Sequence, residues 1–204
     1  MAGLATSGTL THWFHETLAR ELDPAQAMEV LVADANASPP GAKGLVMLPY
    51  FSGERTPIHD THAKGVIFGL DLTHTRGDLF RALLEGIAFG TNHILETYDD
   101  VGETPRNIFA VGGGTRNKVW AQATSDISGK SQILRSKFMG ASYGNAFLAA
   151  IAIGDAKPPD IKIWNPVISE FITNPEHAEI YRKHYGVFRK LYERNRDLMK
   201  ELGH

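Results

Sequence analysis

The sequence predicts an α/β domain rich in helix and short of strand, and three observations carry that reading. Helical apolar periods fill most of the 204 residues. An apolar run over 108–111 passes through Gly112, Gly113 and Gly114 into a helical pattern that starts near Asn117. A second strand-then-helix step follows over 131–135 and 142–153.

In chain order, Leu10, Trp13, Phe14, Leu18 and Leu22 recur at three- to four-residue spacing, which predicts a helix over 9–21 that Pro24 ends. Asp23 and Pro24 can cap and start a second helix over 25–35. Residues 37–41 read as a loop and 44–48 as a short buried strand, while frequent Gly, Pro and His predict an extended loop over 54–75. The longest helical pattern covers 77–98 and turns Leu79, Leu83, Ile87, Ile94 and Leu95 inward. Its small residues Ala82, Gly86, Ala88 and Gly90 permit close approach of a neighbouring element. A strand over 107–111, a helix over 117–128, the second strand-helix step and a proline link at Pro158 and Pro159 come next. The final helix, from about 175 to 202, lines up Tyr181, Tyr185, Phe188, Leu191, Tyr192 and Leu198 amid many charges, which predicts packing on the domain surface.

Composition bounds the function classes. With 43% hydrophobic and 22% charged residues the chain is long enough for one domain and a helical appendage. A net charge of -2 lacks the basic excess of a nucleic-acid binder. Zero cysteines exclude disulfide and thiol chemistry and fit a reducing compartment. No apolar run approaches the ~18 residues of a membrane span, and the start of the chain lacks the basic flank of a signal peptide. The expectation is a cytoplasmic protein with neither nucleic-acid nor membrane partners.

The glycine triplet is the candidate for chemistry. Residues without Cβ can take positive φ and let a phosphate, ribose or base edge approach the main chain, and a helix start behind them leaves N–H groups that favour anions. Taken alone, a glycine triplet is more often a plain strand-to-helix turn. It matches neither GxGxxG nor GxxxxGK[ST].

Several further segments resemble one family together and in order. Residues 47–57, MLPYFSGERTP, resemble the LPY-x-x-GER-x-P loop of the FGGY carbohydrate kinases, and KGVIFGL at 64–70 with LFRALLEGIAF at 79–89 resembles that family's second signature. The triplet falls at the family's adenosine-binding turn, Ser125-Asp126-Ile127 resembles its AD-[IV] helix end, and Gly144-Asn145-Ala146 its GAA helix. The similarity covers roughly 44–153 and is nearest to xylulokinase-like members. It implies the C-terminal, nucleotide-binding part of an actin-like, ribonuclease-H-like ATPase fold with an incomplete sheet, over 1–165, with a helical extension over 166–204 packed on it. It implies ATP with Mg2+ as cofactors, with Gly112, Gly113, Gly114, Thr115 and Asn117 as the nucleotide-binding residues. A sugar or polyol, such as a pentulose, is the implied phosphoryl acceptor. The family's early Asp-Gly-Thr-like phosphate motif and its general-base aspartate have no counterpart here, so the chain reads as a fragment that is inactive alone and carries no catalytic residue. The alternative is a non-catalytic actin-like interaction module, with a homodimer among its partners; another actin-like ATPase is opposed by the GER-x-P loop. Residues 137–144, KFMGASYG, stand where many members carry a Glu. On this reading Gly114→Val abolishes nucleotide binding without loss of helix.

Other polar residues take structural readings first. His59, Asp60 and His62 are read as solvated loop polars, and no metal is expected. Glu54 and Arg55 are read as an ion pair holding their loop. Glu85 is expected to bond Arg81 at i−4 or nearby backbone, and Asp71, Asp78 and Asp126 to cap helices.

Overall fold

The computed structural model describes residues 3–137 and 140–203. Helix α1 (Gly8–Leu18) and helix α2 (Ala27–Ala37) lead into strand β1 (Val46–Leu48) and, after a long loop, strand β2 (Val66–Phe68). Helix α3 (Arg76–Asp100) is followed by β3 (Ile108–Ala110), α4 (Lys118–Ser128), β4 (Gln132–Arg135) and α5 (Ala141–Ala152). The short α6 (Ile161–Trp164), strand β5 (Val167–Phe171) and the long α7 (Ala178–Glu201) complete the described chain.

Among the described residues the strands form two small sheets. β1 and β2 pair antiparallel with Val46 opposite Phe68. β3 and β4 pair parallel with Ile108 opposite Gln132, and β5 adds antiparallel to β4 with Gln132 opposite Phe171 and an irregularity between Leu134 and Arg135. The sequence reading misses β2 inside its extended loop and β5 after the prolines. β2 has three residues and β5 is nearly all exposed, so neither shows the longer half-buried alternation that marks a strand.

β1 divides the core. Leu45 and Met47 face a cluster built from Leu10 and Phe14 of α1, Leu31 of α2, and Leu83 and Ile87 of α3. Val46 and Leu48 turn the other way, onto Tyr50, Phe89, Tyr181 and Phe188 beside α7, as the two-residue period of a strand requires. The small residues of α3 act as expected. A Cβ on Gly86 would stand 2.4 Å from the carbonyl oxygen of Met47, so only glycine lets β1 approach that closely. The α3 start is a capping box in which the Thr75 backbone N–H donates to Asp78 Oδ2 at 2.8 Å.

Helix boundaries differ in places. α2 starts at Ala27, two residues later than expected, although Asp23 takes the expected capping place, its carboxylate accepting from Ala25 N–H at 2.8 Å and its carbonyl from Ala27 N–H at 2.7 Å. α1 ends at Leu18, three residues early, and the His15 ring contacts the Leu22 carbonyl at 3.2 Å. On α7, Tyr181, Phe188 and Leu191 are buried as expected, whereas Leu198 is exposed and Met199 takes the inward place.

Candidate functional site

The glycine turn forms where β3 runs out. Gly112 has φ +95° and ψ 178°, and residues Gly113–Arg116 make one 3-10 turn closed by Thr115 Oγ1 donating to the Gly112 carbonyl at 2.8 Å. Of the triplet, Gly112 alone has a positive φ. Gly114 is small for another reason: a Cβ there would lie 2.7 Å from Cζ3 of Trp120. At Gly113 an added Cβ would meet nothing within 4 Å.

Asn117 follows as the N-cap of α4, its Oδ1 accepting from Trp120 N–H at 3.0 Å. That bond fixes which side of the amide is oxygen. It leaves Nδ2, a two-proton donor, buried and without a partner among the described residues.

Two hollows flank the turn. The first, about 640 Å³, has Gly113, Asn117 and Trp120 on one wall and His12 of α1 with Met28 and Glu29 of α2 on the other. The second, about 460 Å³, lies against Ser7, Thr91, Val111, Thr115 and Thr124. Gly8 and Gly114 line both. The volumes suit small organic ligands, and apolar walls with few converging polar groups are the usual make-up of such sites. Gly113, Gly114, Thr115 and Asn117 therefore reach open space together, while Gly112 lines neither hollow and acts through the shape of the turn. The facing wall is what the sequence reading lacks: Gly8, His12, Met28 and Glu29 come from helices far earlier in the sequence, with only the small Ser7-Gly8 pair at a helix start to signal them.

The other singled-out residues resolve individually. Glu85 is almost fully buried on α3, and its Oε1 accepts from Arg81 Nε at 2.7 Å, the Tyr181 hydroxyl at 2.9 Å and Gly41 N–H at 3.0 Å. Burial pushes its pKa up despite the Arg81 charge. The expected i−4 pair is present, joined by a tyrosine that links α7 to it. Glu54 corrects the reading: no carboxylate–guanidinium pair with Arg55 forms. Its Oε1 accepts from the backbone N–H groups of Ala5 and Arg55, both at 2.7 Å, and the Arg55 guanidinium donates to the Leu4 carbonyl at 3.2 Å.

Asp78 caps α3 as expected, and Asp71 Oδ1 accepts from Thr73 N–H in the turn before it. Asp126 does not cap its own helix. Near the end of α4 it accepts from Gln122 Nε2, Asn174 N–H and His177 Nδ1, each at 2.8 Å, and so binds α4 to the turn before α7. Asp60 accepts from the Tyr192 hydroxyl at 2.8 Å. Among the described residues no three metal-ligating side chains come together. Of the unusual stretch 137–144, Phe138 and Met139 lie outside the described residues.

Comparison with known proteins agrees with this architecture. Residues 1–153 match the model of the FGGY family of carbohydrate kinases, C-terminal domain. The chain is 29% identical over 194 residues to the xylulose kinase of Bacillus subtilis, covering 94% of this chain and 38% of that protein. It is 33% identical over 171 residues to the xylulose kinase of Escherichia coli, covering 83% of this chain and 35% of the relative. The crystal structure of xylulose kinase from Rhodospirillum rubrum superposes with a TM-score of 0.87 at 36% identity, over 98% of this chain and 40% of that one. The actin-like α/β class read from the sequence thus holds, helix-rich and with small sheets. The chain spans about two fifths of the length of the relatives it matches. By the family model, which matches residues 1–153, this chain belongs to the FGGY family of carbohydrate kinases and carries their C-terminal domain.

Proposed function

We propose that the chain is the nucleotide-holding part of an ATP-dependent kinase that transfers the γ-phosphoryl group of ATP to a hydroxyl of a sugar or polyol. A pentulose such as xylulose is the favoured acceptor, because curated relatives it matches, from Bacillus subtilis and Escherichia coli among others, are named xylulose kinases. The observation that carries the nucleotide reading is the bare backbone at Gly113 and Gly114 beside Asn117 on the wall of a hollow of about 640 Å³, with Asn117 Nδ2 buried behind that wall and without a partner among the described residues. Buried donors are seldom left unpaired, and a nucleoside offers several acceptors.

On this reading the base and ribose lie in the first hollow between Trp120 and α2, and the phosphates lie towards Thr115 and the second hollow. The N–H groups at the start of α4 add a field of about 0.3–1 kcal/mol for an anion at an exposed helix terminus. Mg2+ bound with the nucleotide would neutralise phosphate charge. Phosphoryl transfer rests on positioning and charge stabilisation. The described residues supply the donor side; the acceptor and its base belong, in this proposal, to the part of the relatives that this chain does not span, so that alone it binds without transferring. We assign residues 1–165 to the nucleotide domain and 166–204 to an extension packed on it, and place the protein in the cytoplasm.

The test is isothermal titration calorimetry with ATP and Mg2+ on the wild-type chain and on Gly113→Val. A Cβ at 113 would meet nothing within 4 Å, whereas one at 114 would lie 2.7 Å from Trp120 Cζ3. Expected is uptake by the wild type and at least about tenfold weaker binding by the variant, or 1.4 kcal/mol, with an unchanged circular dichroism spectrum. Equal binding by both overturns the assignment.

A further inference from the structure

Glu54 is a buried charge for which phosphoryl transfer has no evident use. It is 3% exposed, and its Oε2 meets no donor among the described residues. Burying half a carboxylate bare is costly, so the bonds on its other oxygen must matter. One of them holds Ala5 N–H, and a bond from a carboxylate is shorter and stronger than one from a neutral acceptor.

Ala5 lies in the segment that runs into α1. The loop over 49–55 grips that segment at consecutive residues: Arg55 donates to the Leu4 carbonyl, Glu54 accepts from Ala5, and the Thr6 hydroxyl donates to the Pro49 carbonyl. Phe51 also sets its ring edge-on to Trp13 of α1, centroids 4.7 Å apart. Glu54 is itself fixed from behind, its backbone exchanging hydrogen bonds of 2.8 and 2.9 Å with Asp60. The next residues of the gripped segment are Ser7 and Gly8, and then Thr11 and His12 follow one turn on; these make the α1 wall of the two hollows.

We propose that Glu54 is a positioning residue for the nucleotide site, setting through Ala5 the place of the α1 wall opposite the glycine turn. This rests on the nucleotide reading above for its consequence, though not for its geometry. A loop distant from the glycine turn in sequence then governs affinity without touching ligand.

The experiment compares wild type with Glu54→Ala, Glu54→Gln and Glu54→Asp, and with Leu191→Ala in the α7 cluster as a control for general destabilisation. Amide hydrogen exchange over residues 5–12 and calorimetry with ATP and Mg2+ are measured on each. Expected are about tenfold faster exchange and about tenfold weaker ATP binding in Glu54→Ala, the size of one lost charge-assisted bond. Glu54→Gln keeps an accepting oxygen but loses its charge, so it falls between wild type and Glu54→Ala on both, and Leu191→Ala lowers the melting temperature while moving neither. If Glu54→Ala does not fold, Glu54→Asp decides, since it keeps the charge but falls one methylene short of Ala5. Unchanged exchange over 5–12, an equal change in Leu191→Ala, or faster exchange without weaker binding overturns the proposal. If the wild type takes up no ATP, the nucleotide reading fails, and the exchange data alone decide whether Glu54 sets the wall.

Discussion

Helices α3 and α5 sit in the opposite environments to those their compositions suggest. α3 carries Arg76, Asp78, Arg81 and Glu85 in its first ten residues, yet from Gly77 to Gly90 every residue except Leu79 is buried. α5, with the sequence ASYGNAFLAAIA, has no charged residue and buries Phe147 alone; Leu148 just after it is 63% exposed, and Ile153 at its C-cap 75%. The difference lies in the neighbours. α3 is enclosed by α1, α2, β1, α4 and α7, and its charges are tolerated because each finds a partner: Arg81 and Glu85 pair inside that enclosure, while Asp78 meets Lys43 and Arg76 meets Glu21 and Asp34 nearer the surface. α5 leans on the fold by one edge, where Phe147 packs on Trp164 at 5.2 Å and the Tyr143 hydroxyl donates to the Trp164 carbonyl at 2.7 Å. Apolar composition gives a helix the capacity to be buried, and only a second layer realises it.

The largest effect that would break this contrast is at Glu85. Removing it leaves Arg81 buried and without its carboxylate, and the Tyr181 hydroxyl and Gly41 N–H without their acceptor. Glu85→Ala should therefore cost about 3–5 kcal/mol in urea unfolding, the usual penalty for breaking a buried pair from one side. A loss under about 1 kcal/mol, typical of an exposed pair, would mean that α3 is not enclosed as described.

A smaller effect sharpens the account of the second half of α3. His93 has a buried Nδ1 without a partner among the described residues, and burial first, with the nearby Arg189 charge second, pulls its pKa down to about 4. The unfolded chain takes up this proton near pH 6.5 and the folded chain resists until about pH 4. Over that window the unfolded state binds more protons, so stability is lost as pH falls. Glu and Asp residues add their own acid slopes, so the comparison is with His93→Gln. The wild-type urea midpoint should drop further between pH 7.5 and pH 4.5 than the variant's; parallel curves would show that His93 is solvated.

What the sequence discloses follows the same division between local and distant contacts. The Arg81–Glu85 pair is legible because four residues bring two side chains onto one helix face. The Tyr181 hydroxyl that completes it comes from about a hundred residues away and leaves no local trace. The glycine turn is likewise legible as strand, triplet and helix, whereas the wall opposite, with Gly8, His12 and Glu29, depends on how α1 and α2 dock. Glu54 invites an ion-pair reading from its neighbour Arg55, but adjacent residues in an extended loop need not face each other, and the carboxylate turns to the backbone of Ala5 instead. Asp126 misleads in the same way: its place near a helix end suggests a cap, and its partners lie in the turn before α7.

The smallest expected effect falls on α5. Leu148→Ser changes an exposed side chain and should shift stability by no more than about 0.5 kcal/mol. Phe147→Ala, one residue away but buried against Trp164, should cost several-fold more, on the order of 3 kcal/mol. The ratio between the two variants matters more than either value, because both alter the same helix and share its propensity costs. If Leu148→Ser costs as much as Phe147→Ala, the exposed face of α5 is covered in solution by something outside the described fold. Gel filtration then decides whether that cover is a second copy: a wild-type dimer that Leu148→Ser converts to monomer would place the copy on α5, and the contrast with α3 would become one between a helix buried by its own chain and a helix buried by assembly.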